Sequence, residues 1–140
     1  MPIELTKVAY STAATSKGGR AGHVRSADGL VEFDLAQPGT SSEPAVNPET
    51  LFAAGYASCF AGALANRAKA QGIDASEALV TANVKFGPSE DGGFGLAVDI
   101  EAEIPGVDAA KAQELVELAH QFCPYSKATR GNITVTVKAV

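Results

Sequence analysis

The two cysteines are the side chains best able to carry chemistry in this sequence. Cys59 lies within NPETLFAAGYASCFAGAL, a stretch made mainly of small and aromatic residues, and Cys123 lies far along the chain. In a reducing cytoplasm two such distant cysteines are poorly explained as a permanent disulfide, which favours redox chemistry. The alternative is that Cys59 packs as a small hydrophobic residue, the commonest role of a buried free cysteine.

The helix positions predicted for the two thiols give them different chemistry. Cys59 would lie about three turns into a helix, beyond the reach of the N-terminal partial charge, so a reactive thiolate there needs a cation from elsewhere. Cys123 would lie at the C-terminal end of another helix, where the dipole opposes thiolate formation. Cys123 therefore suits attack on a sulfenic acid already formed on a partner cysteine, and the alternative is a helix-terminal core residue.

Arg20 is the arginine of most interest as that cation. It follows two glycines in KGGRAG, a mobile turn that can present a guanidinium to an apolar pocket and withdraw it. The alternative is a solvated loop arginine. Arg67 lies roughly 12 Å beyond Cys59 along the same helix, too far to contact the sulfur. Glu49 has a structural role of its own, since a carboxylate in the first turn complements the helix dipole.

The histidines do not indicate a metal site. His23 and His120 have no ligand neighbours at metal spacing, and we predict a strand residue and a helix-surface residue, respectively. The KGGRAG segment lacks the full pattern of a P-loop or a dinucleotide-binding loop. We therefore predict neither a metal nor another cofactor.

Length and charge narrow the class of protein. The chain has 140 residues and is 46% hydrophobic, which predicts a single domain over residues 1–140. A formal charge of −5 argues against nucleic acid binding, which depends on clustered Lys and Arg. The N-terminus lacks a signal-peptide pattern, and no stretch approaches the roughly 20 apolar residues that span a membrane. We predict a cytoplasmic protein with neither a nucleic acid nor a membrane partner.

Alternating segments predict six β-strands that would frame these side chains. Between residues 5 and 39, short alternating segments separated by KGGRAG, ADG and QPG predict three strands. VTANVKF and LAVDIEAEI alternate on either side of a glycine-rich turn and predict a hairpin. NITVTVKAV predicts a final strand.

The helix that contains Cys59 has clear end signals. Asn47 is a preferred N-cap, Pro48 suits the first helical position, and Gly72 follows a predicted end at about Gln71. The helix is apolar almost all round, so we expect a central helix that is covered on every side.

A second helix is predicted over AAKAQELVELAHQF, after Asp108 as its N-cap and before Cys123 and Pro124, which close it. Its apolar positions fall on one stripe and are Leu115, Val116, Leu118, Ala119 and Phe122. The order βββαββαβ predicts an α+β fold.

Three separated stretches resemble the signature blocks of the Ohr branch of the OsmC/Ohr family. They are GGRAGHVRSADGLVEFDL, NPETLFAAGYASCFAGAL and FCPYSKATRGNITVTV. The blocks occur in order at the expected spacing, and the resemblance covers nearly the whole chain. It implies an OsmC-like fold, with antiparallel sheets packed around a long buried central helix, in an intertwined homodimer.

The resemblance also implies an activity, that of the organic hydroperoxide resistance proteins. These are thiol-dependent peroxidases, and the matching positions are Cys59 as peroxidatic residue, Cys123 as resolving residue, Arg20 and Glu49. The family prefers organic over inorganic hydroperoxides and takes electrons from lipoylated proteins rather than from thioredoxin.

The residues support a mechanism for this chemistry. A thiolate attacks one peroxide oxygen while the other leaves as an alkoxide. A planar arginine guanidinium can stabilise the negative charge on the sulfur and then on the oxygen, while a carboxylate keeps the guanidinium in place. Apolar surface around Phe52, Tyr56 and Phe60 can bury the tail of an alkyl or fatty-acid hydroperoxide, at about 25 cal/mol per Å². The resulting sulfenic acid condenses with the second thiol, and an external dithiol reduces the disulfide.

Two other functions are compatible with parts of the sequence. In a non-enzymatic protein that binds a small lipid, the apolar pocket would hold the ligand and both cysteines would be packing residues. A general thiol-disulfide oxidoreductase is less well supported, because the chain has no Cys-x-x-Cys motif.

Overall fold

The computed structural model describes residues 2–140, which form two compact units, one ending at Pro48 and one covering Glu49–Val140. A single domain over residues 1–140 stays a prediction. Among the described residues, none of the helices has the length and apolar character needed to cross a bilayer.

The first unit contains the three predicted strands. They are β1 (Ala14–Lys17), β2 (His23–Ser26) and β3 (Glu32–Asp34), and they form an antiparallel sheet in the order β1-β2-β3. The turns fall at the predicted glycine-containing segments, so this part of the secondary structure is confirmed.

His23 lies on β2 as predicted, but the sequence did not show its carboxylate neighbours. The strand register pairs His23 with Asp34, and Nδ1 lies 2.8 Å from Asp34 Oδ1 while Nε2 lies 2.8 Å from Glu32 Oε2. The hydrogen bonds to Asp34 and then Glu32 raise the pKa of His23 above its ordinary value. These carboxylates come from the neighbouring strand, so no spacing within one segment could indicate them.

The helix that carries Cys59 is α1 (Pro48–Lys69). It begins at the predicted proline and runs through Gly55 without a break. Beyond its last turn, Gly72 adopts φ +73°, and the backbone N–H of Ile73 donates to Ala68 O at 2.9 Å. With Gly72 N–H donating to Lys69 O at 3.0 Å, this is a Schellman closure, and the predicted stop at Gly72 is confirmed.

Only part of the α1 surface is covered within the chain. The buried positions lie on one side and are Tyr56, Phe60, Ala63, Leu64 and Ala68. A row of small residues four positions apart is exposed and consists of Thr50, Ala54, Ser58, Gly62 and Asn66. The expectation of cover on every side therefore does not hold within the chain, because the sheet and α2 reach only one side of the helix.

The second unit contains a mixed three-stranded sheet. The predicted hairpin is β4 (Leu79–Pro88) and β5 (Phe94–Glu103), which pair in antiparallel fashion, and β6 (Val135–Ala139) pairs with β5. The β5–β6 pair is parallel, so the prediction of antiparallel sheets is wrong for this strand. The chain passes through two helices between β5 and β6, and such a long crossover is what a parallel pair requires.

The second helix is α2 (Ala109–Phe122), and Asp108 Oδ1 accepts from the Lys111 N–H at 2.9 Å, which confirms the predicted cap. The predicted apolar stripe of α2 is buried at Leu115, Val116 and Ala119. The prediction is wrong for Phe122, which is 40% exposed and has the Arg67 guanidinium 4.1 Å above its ring.

A short third helix, α3 (Pro124–Thr129), follows immediately and was not predicted. Pro124 was interpreted only as the end of α2. Proline is also favoured at the first position of a helix, where its missing N–H costs nothing, so the same residue ends one helix and begins the next.

Candidate active site

The two cysteines lie in contact. The Sγ atoms of Cys59 and Cys123 are 3.5 Å apart, although 64 residues separate them in sequence. Both are free thiols, since a disulfide would bring the sulfurs to about 2.05 Å. Cys59 is half-buried in α1, whereas Cys123 has no exposed surface. Of the pair, Cys59 is thus the sulfur that a reagent from solvent reaches first.

The surroundings of Cys59 act on its ionisation in opposite directions. Burial raises the pKa of the Cys59 thiol above its ordinary value, a hydrogen bond from the Tyr125 backbone N–H lowers it, and the neighbouring Cys123 raises it again. The net direction is upward. Within its own unit Cys59 is therefore mostly a neutral thiol at physiological pH, as expected for a sulfur in apolar surroundings.

Cys123 is held by both of the helices that meet at it. Its backbone N–H donates to Ala119 O at 2.8 Å and closes α2, while its carbonyl accepts from the Lys127 N–H at 2.9 Å in α3. Between these bonds the residue is extended, with φ −63° and ψ 125°. The position of Cys123 is therefore determined by the packing of α2 and α3 against α1.

Glycine at position 55 permits the close approach of α3 to α1. A Cβ atom at Gly55 would lie 3.2 Å from the Tyr125 ring. The Tyr125 ring stacks on Phe52 with a centroid distance of 6.5 Å and tilts against Tyr56 at 5.9 Å. Gly55 thus serves helix packing rather than a helix break.

A buried set of hydrogen bonds lies beside the thiols. Tyr56 Oη is 2.9 Å from Ser126 Oγ and 3.0 Å from Thr129 Oγ1, and His120 Nδ1 is 2.8 Å from Ser126 Oγ. The prediction of His120 as a surface residue is wrong, because α3 folds over it and leaves it half-buried. A signal was present in the sequence, since the hydroxyl residues of α3 follow Cys123 at positions +3 and +6, on one side of a helix.

The aromatic residues predicted to contact substrate lie near these thiols. Phe52 is half-buried with its ring edge-on to Tyr56 at 5.8 Å, and both Tyr56 and Phe60 are fully buried in the core of the second unit. Contact of these three residues with a substrate stays a prediction.

Arg20 lies in the first unit, in a single 3₁₀ turn between β1 and β2. Gly18 and Gly19 have φ of +84° and +64°, and a Cβ at Gly22 would lie 1.8 Å from the Lys17 carbonyl oxygen. The glycines around Arg20 are therefore required by the turn. An open surface pocket of about 590 Å³ is lined by residues of this unit that include Arg20.

Glu49 lies in the first turn of α1, as predicted. Its predicted catalytic role, like that of Arg20, stays a prediction. Over residues 2–140, no group of three or more His, Cys, Asp and Glu side chains could hold a metal ion.

Comparisons with known proteins agree with this architecture. Residues 39–138 match the family described as OsmC-like protein. Over 131 residues the chain is 45% identical to organic hydroperoxide resistance protein OhrB of Bacillus subtilis, covering 92% of this chain and 96% of that protein. It is 44% identical over 135 residues to the organic hydroperoxide resistance protein of Xanthomonas axonopodis pv. citri, covering 94% of each.

Solved structures show the same fold. The crystal structure of OhrB of Bacillus subtilis has a TM-score of 0.90 at 44% identity and covers 95% of this chain and 100% of that chain. An organic hydroperoxide resistance protein from Elizabethkingia anophelis has a TM-score of 0.88 at 49% identity, covering 96% and 98%. The α+β, OsmC-like fold prediction is confirmed.

The chain belongs to the OsmC-like family. Within that family it belongs to the Ohr branch, as the three sequence blocks predicted.

Proposed function

We propose that this protein detoxifies organic hydroperoxides as a thiol-dependent peroxidase, reducing alkyl or fatty-acid hydroperoxides to alcohols. Its relatives at 44–45% identity are named organic hydroperoxide resistance proteins. The observation that carries the proposal is the 3.5 Å contact between a half-buried and a fully buried free thiol. Two thiols in contact can together lose two electrons and form a disulfide.

In the first step the Cys59 thiolate attacks the terminal peroxide oxygen, so that the S–O bond forms and the O–O bond breaks. The departing alkoxide takes a proton from solvent, equivalent to the one the thiol released, and leaves as an alcohol. Because burial raises the pKa of Cys59, the reaction needs a cation that favours the thiolate. Arg20 is our candidate, since a guanidinium fork can donate to the sulfur and the peroxide together, with Glu49 orienting it.

In the second step the Cys59 sulfenic acid condenses with Cys123, and an external dithiol then reduces the disulfide by exchange. We propose a lipoylated protein as the dithiol and the cytoplasm as the compartment. Apolar side chains around the thiols would favour organic substrates, because hydrogen peroxide has no apolar tail to bury.

Thiol consumption tests this function against the lipid-binding alternative. One equivalent of cumene hydroperoxide should consume both thiols of the reduced protein and yield the Cys59–Cys123 disulfide, measured by thiol titration and mass spectrometry. An equal concentration of hydrogen peroxide should react much more slowly, which serves as the matched control. If both thiols survive cumene hydroperoxide, the cysteines are packing residues and the peroxidase is refuted.

We further propose a homodimer in which Glu49 serves the partner subunit. Glu49 and Cys59 are ten residues apart on the unbroken helix α1, so they lie roughly 15 Å apart along its axis and on different faces. One short arginine fork cannot reach both within a single helix. If Arg20 bridges the two groups, the carboxylate must come from a second copy, and two-fold symmetry creates two equivalent composite sites.

Subunit mixing tests this arrangement. Cys59→Ser and Glu49→Ala chains, each weakly active alone, should after joint unfolding and random reassociation recover activity in about a quarter of all sites, because half of the dimers would hold one intact site. Each parent refolded separately is the control. Activity equal to the parental average would mean that Glu49 serves its own chain or only the start of α1.

A further inference from the structure

A buried chain of hydrogen bonds joins three helices next to the two sulfurs. We call it the hydroxyl network, and its members are Tyr56 of α1, His120 of α2, and Ser126 and Thr129 of α3. Tyr56 and Ser126 have no exposed surface, and the Thr129 side chain is nearly as buried. The network therefore contacts every helix that carries or adjoins a cysteine.

The spacing of the network matches the spacing of the thiols. Tyr56 precedes Cys59 by three residues in α1, and Ser126 of α3 follows Cys123, the N-cap of that helix, by three residues. Residues three apart lie on the same side of a helix, one turn from each other. The Tyr56–Ser126 contact thus lies one turn away from the contact between the sulfurs, on the same pair of elements. A shift of α3 along α1 that broke one contact would also change the other.

One arrangement of protons satisfies every contact in the network. Each hydroxyl has a single proton, and Thr129 donates its own to the Ser126 carbonyl at 3.3 Å. Tyr56 must then donate to Thr129, and the Ser126 hydroxyl must donate to Tyr56. The Ser126 oxygen accepts in turn from an Nδ1–H of His120, so the bonds run in one direction from the imidazole to the carbonyl.

The surroundings of His120 keep it neutral. Burial lowers the pKa of His120 below its ordinary value, and the positive charge of Arg130 lowers it further. The Arg130 Nη1 also donates to the His120 carbonyl at 2.9 Å, which holds this cation at the end of α2. Neutral His120 with its proton on Nδ1 completes the network without adding a charge to the core.

We propose that the hydroxyl network positions Cys123 against Cys59 and thereby sets the rate at which the disulfide closes. The inference rests on the proposed peroxidase, since it concerns the second step of that reaction. There the Cys123 sulfur attacks the sulfenic sulfur of Cys59, the S–S bond forms and the S–O bond breaks. The hydroxide leaves as water with the Cys123 proton, so no further reactant is needed.

The rate of disulfide closure depends strongly on the relative position of the two sulfurs, whereas the rate of the first oxidation depends on it less. The sulfurs must approach from 3.5 Å to about 2.05 Å, and misplacement of reacting groups by about 1 Å can slow a reaction by about a hundredfold. Oxidation of Cys59 depends instead on its half-exposed sulfur and the incoming peroxide. A substitution that weakens the network should therefore slow disulfide closure without slowing the first oxidation.

Thr129→Val tests the proposal by removing a hydroxyl of the network at nearly constant side-chain shape. After one equivalent of cumene hydroperoxide, the first oxidation should keep its wild-type rate, while disulfide closure slows by about tenfold and dimedone traps a longer-lived sulfenic acid. Thr129→Ser retains the hydroxyl and should restore the wild-type rate.

Ile100→Val provides the control for stability. Ile100 is fully buried in β5 and is not a member of the network, so the loss of one methyl group should lower Tm without slowing closure. If Thr129→Val lowers Tm but leaves closure unchanged, the network only stabilises the fold and the proposal is refuted. If the first oxidation slows by the same factor as closure, Thr129 acts in the peroxide step, which also refutes it.

A redox titration separates this proposal from the peroxidase itself. Equilibration of the Cys59–Cys123 pair with a glutathione buffer needs no peroxide. A tenfold loss of effective concentration in Thr129→Val should raise the reduction potential of the pair by about 30 mV. If the reduction potential of the variant shifts but the wild-type protein does not react with cumene hydroperoxide, the network proposal is supported and the proposed peroxidase is refuted. If the peroxidase is active but neither closure nor potential changes, the network alone fails.

Discussion

Cys59→Ser should abolish peroxidase turnover, lowering kcat/KM for cumene hydroperoxide by at least about a thousandfold. A serine hydroxyl is not ionised near neutral pH and is a much weaker nucleophile than a thiolate. Cys59 is the more accessible sulfur of the pair, so no other described cysteine can take its place in the first step. Steady-state assays with an external dithiol measure the loss.

Cys123→Ser is the matched variant, because it removes the other sulfur of the same contact. It should oxidise once per site at close to the wild-type rate and then stop, with a sulfenic acid on Cys59 that dimedone labelling and mass spectrometry detect. An equal loss of the first oxidation in both variants would contradict the assignment. Loss of that oxidation in Cys123→Ser alone would reverse the two roles.

Arg20→Lys should lower kcat/KM by about a hundredfold even though it conserves charge. An ammonium is a point charge, and it cannot donate in a planar fork to sulfur, peroxide and carboxylate at once. The thiolate would be less well stabilised, so the Cys59 pKa should rise. The reaction rate increases with pH as the thiolate forms. In Arg20→Lys this increase should occur at higher pH than in the wild type, so the loss of activity should be largest at low pH.

Arg25→Lys is the control for this change. Arg25 lies on β2 of the same unit, where its Nε is 3.6 Å from Glu32 Oε1 in an exposed ion pair that contributes little to stability. Its replacement should leave both the rate and the pH profile unchanged. A wild-type rate and pH profile in Arg20→Lys as well would show that Arg20 is only a loop residue.

Local signals in the sequence determined most of the secondary structure. Pro48 and Gly72 marked the two ends of α1, and Asp108 marked the start of α2, because caps act within a few residues and depend little on the rest of the fold. The alternating segments were sufficient for the strands. They were not sufficient for the direction of β6, which depends on where the α2–α3 crossover returns to the sheet.

The residues around the thiols could not be derived in the same way. Ser126 and Thr129 had no recognised helix to lie on, since Pro124 was interpreted only as a terminator. His120 was predicted to lie on the surface because the spacing of the hydroxyl residues after Cys123 was not interpreted as a helix that folds over it. These side chains acquire their partners through contacts about 70 residues apart, such as that between Tyr56 and Ser126.

By itself, the sequence determined the family, most of the helices and strands, and the two cysteines of interest, because each of these depends on residue types and spacing along a short stretch. The tertiary structure alone decided that Cys59 and Cys123 lie 3.5 Å apart and that a hydroxyl network lies one turn away. It also showed which way burial and a backbone amide shift the pKa of Cys59. Distances and desolvation arise only when α1, α2 and α3 pack together, and no pattern within one segment contains that information.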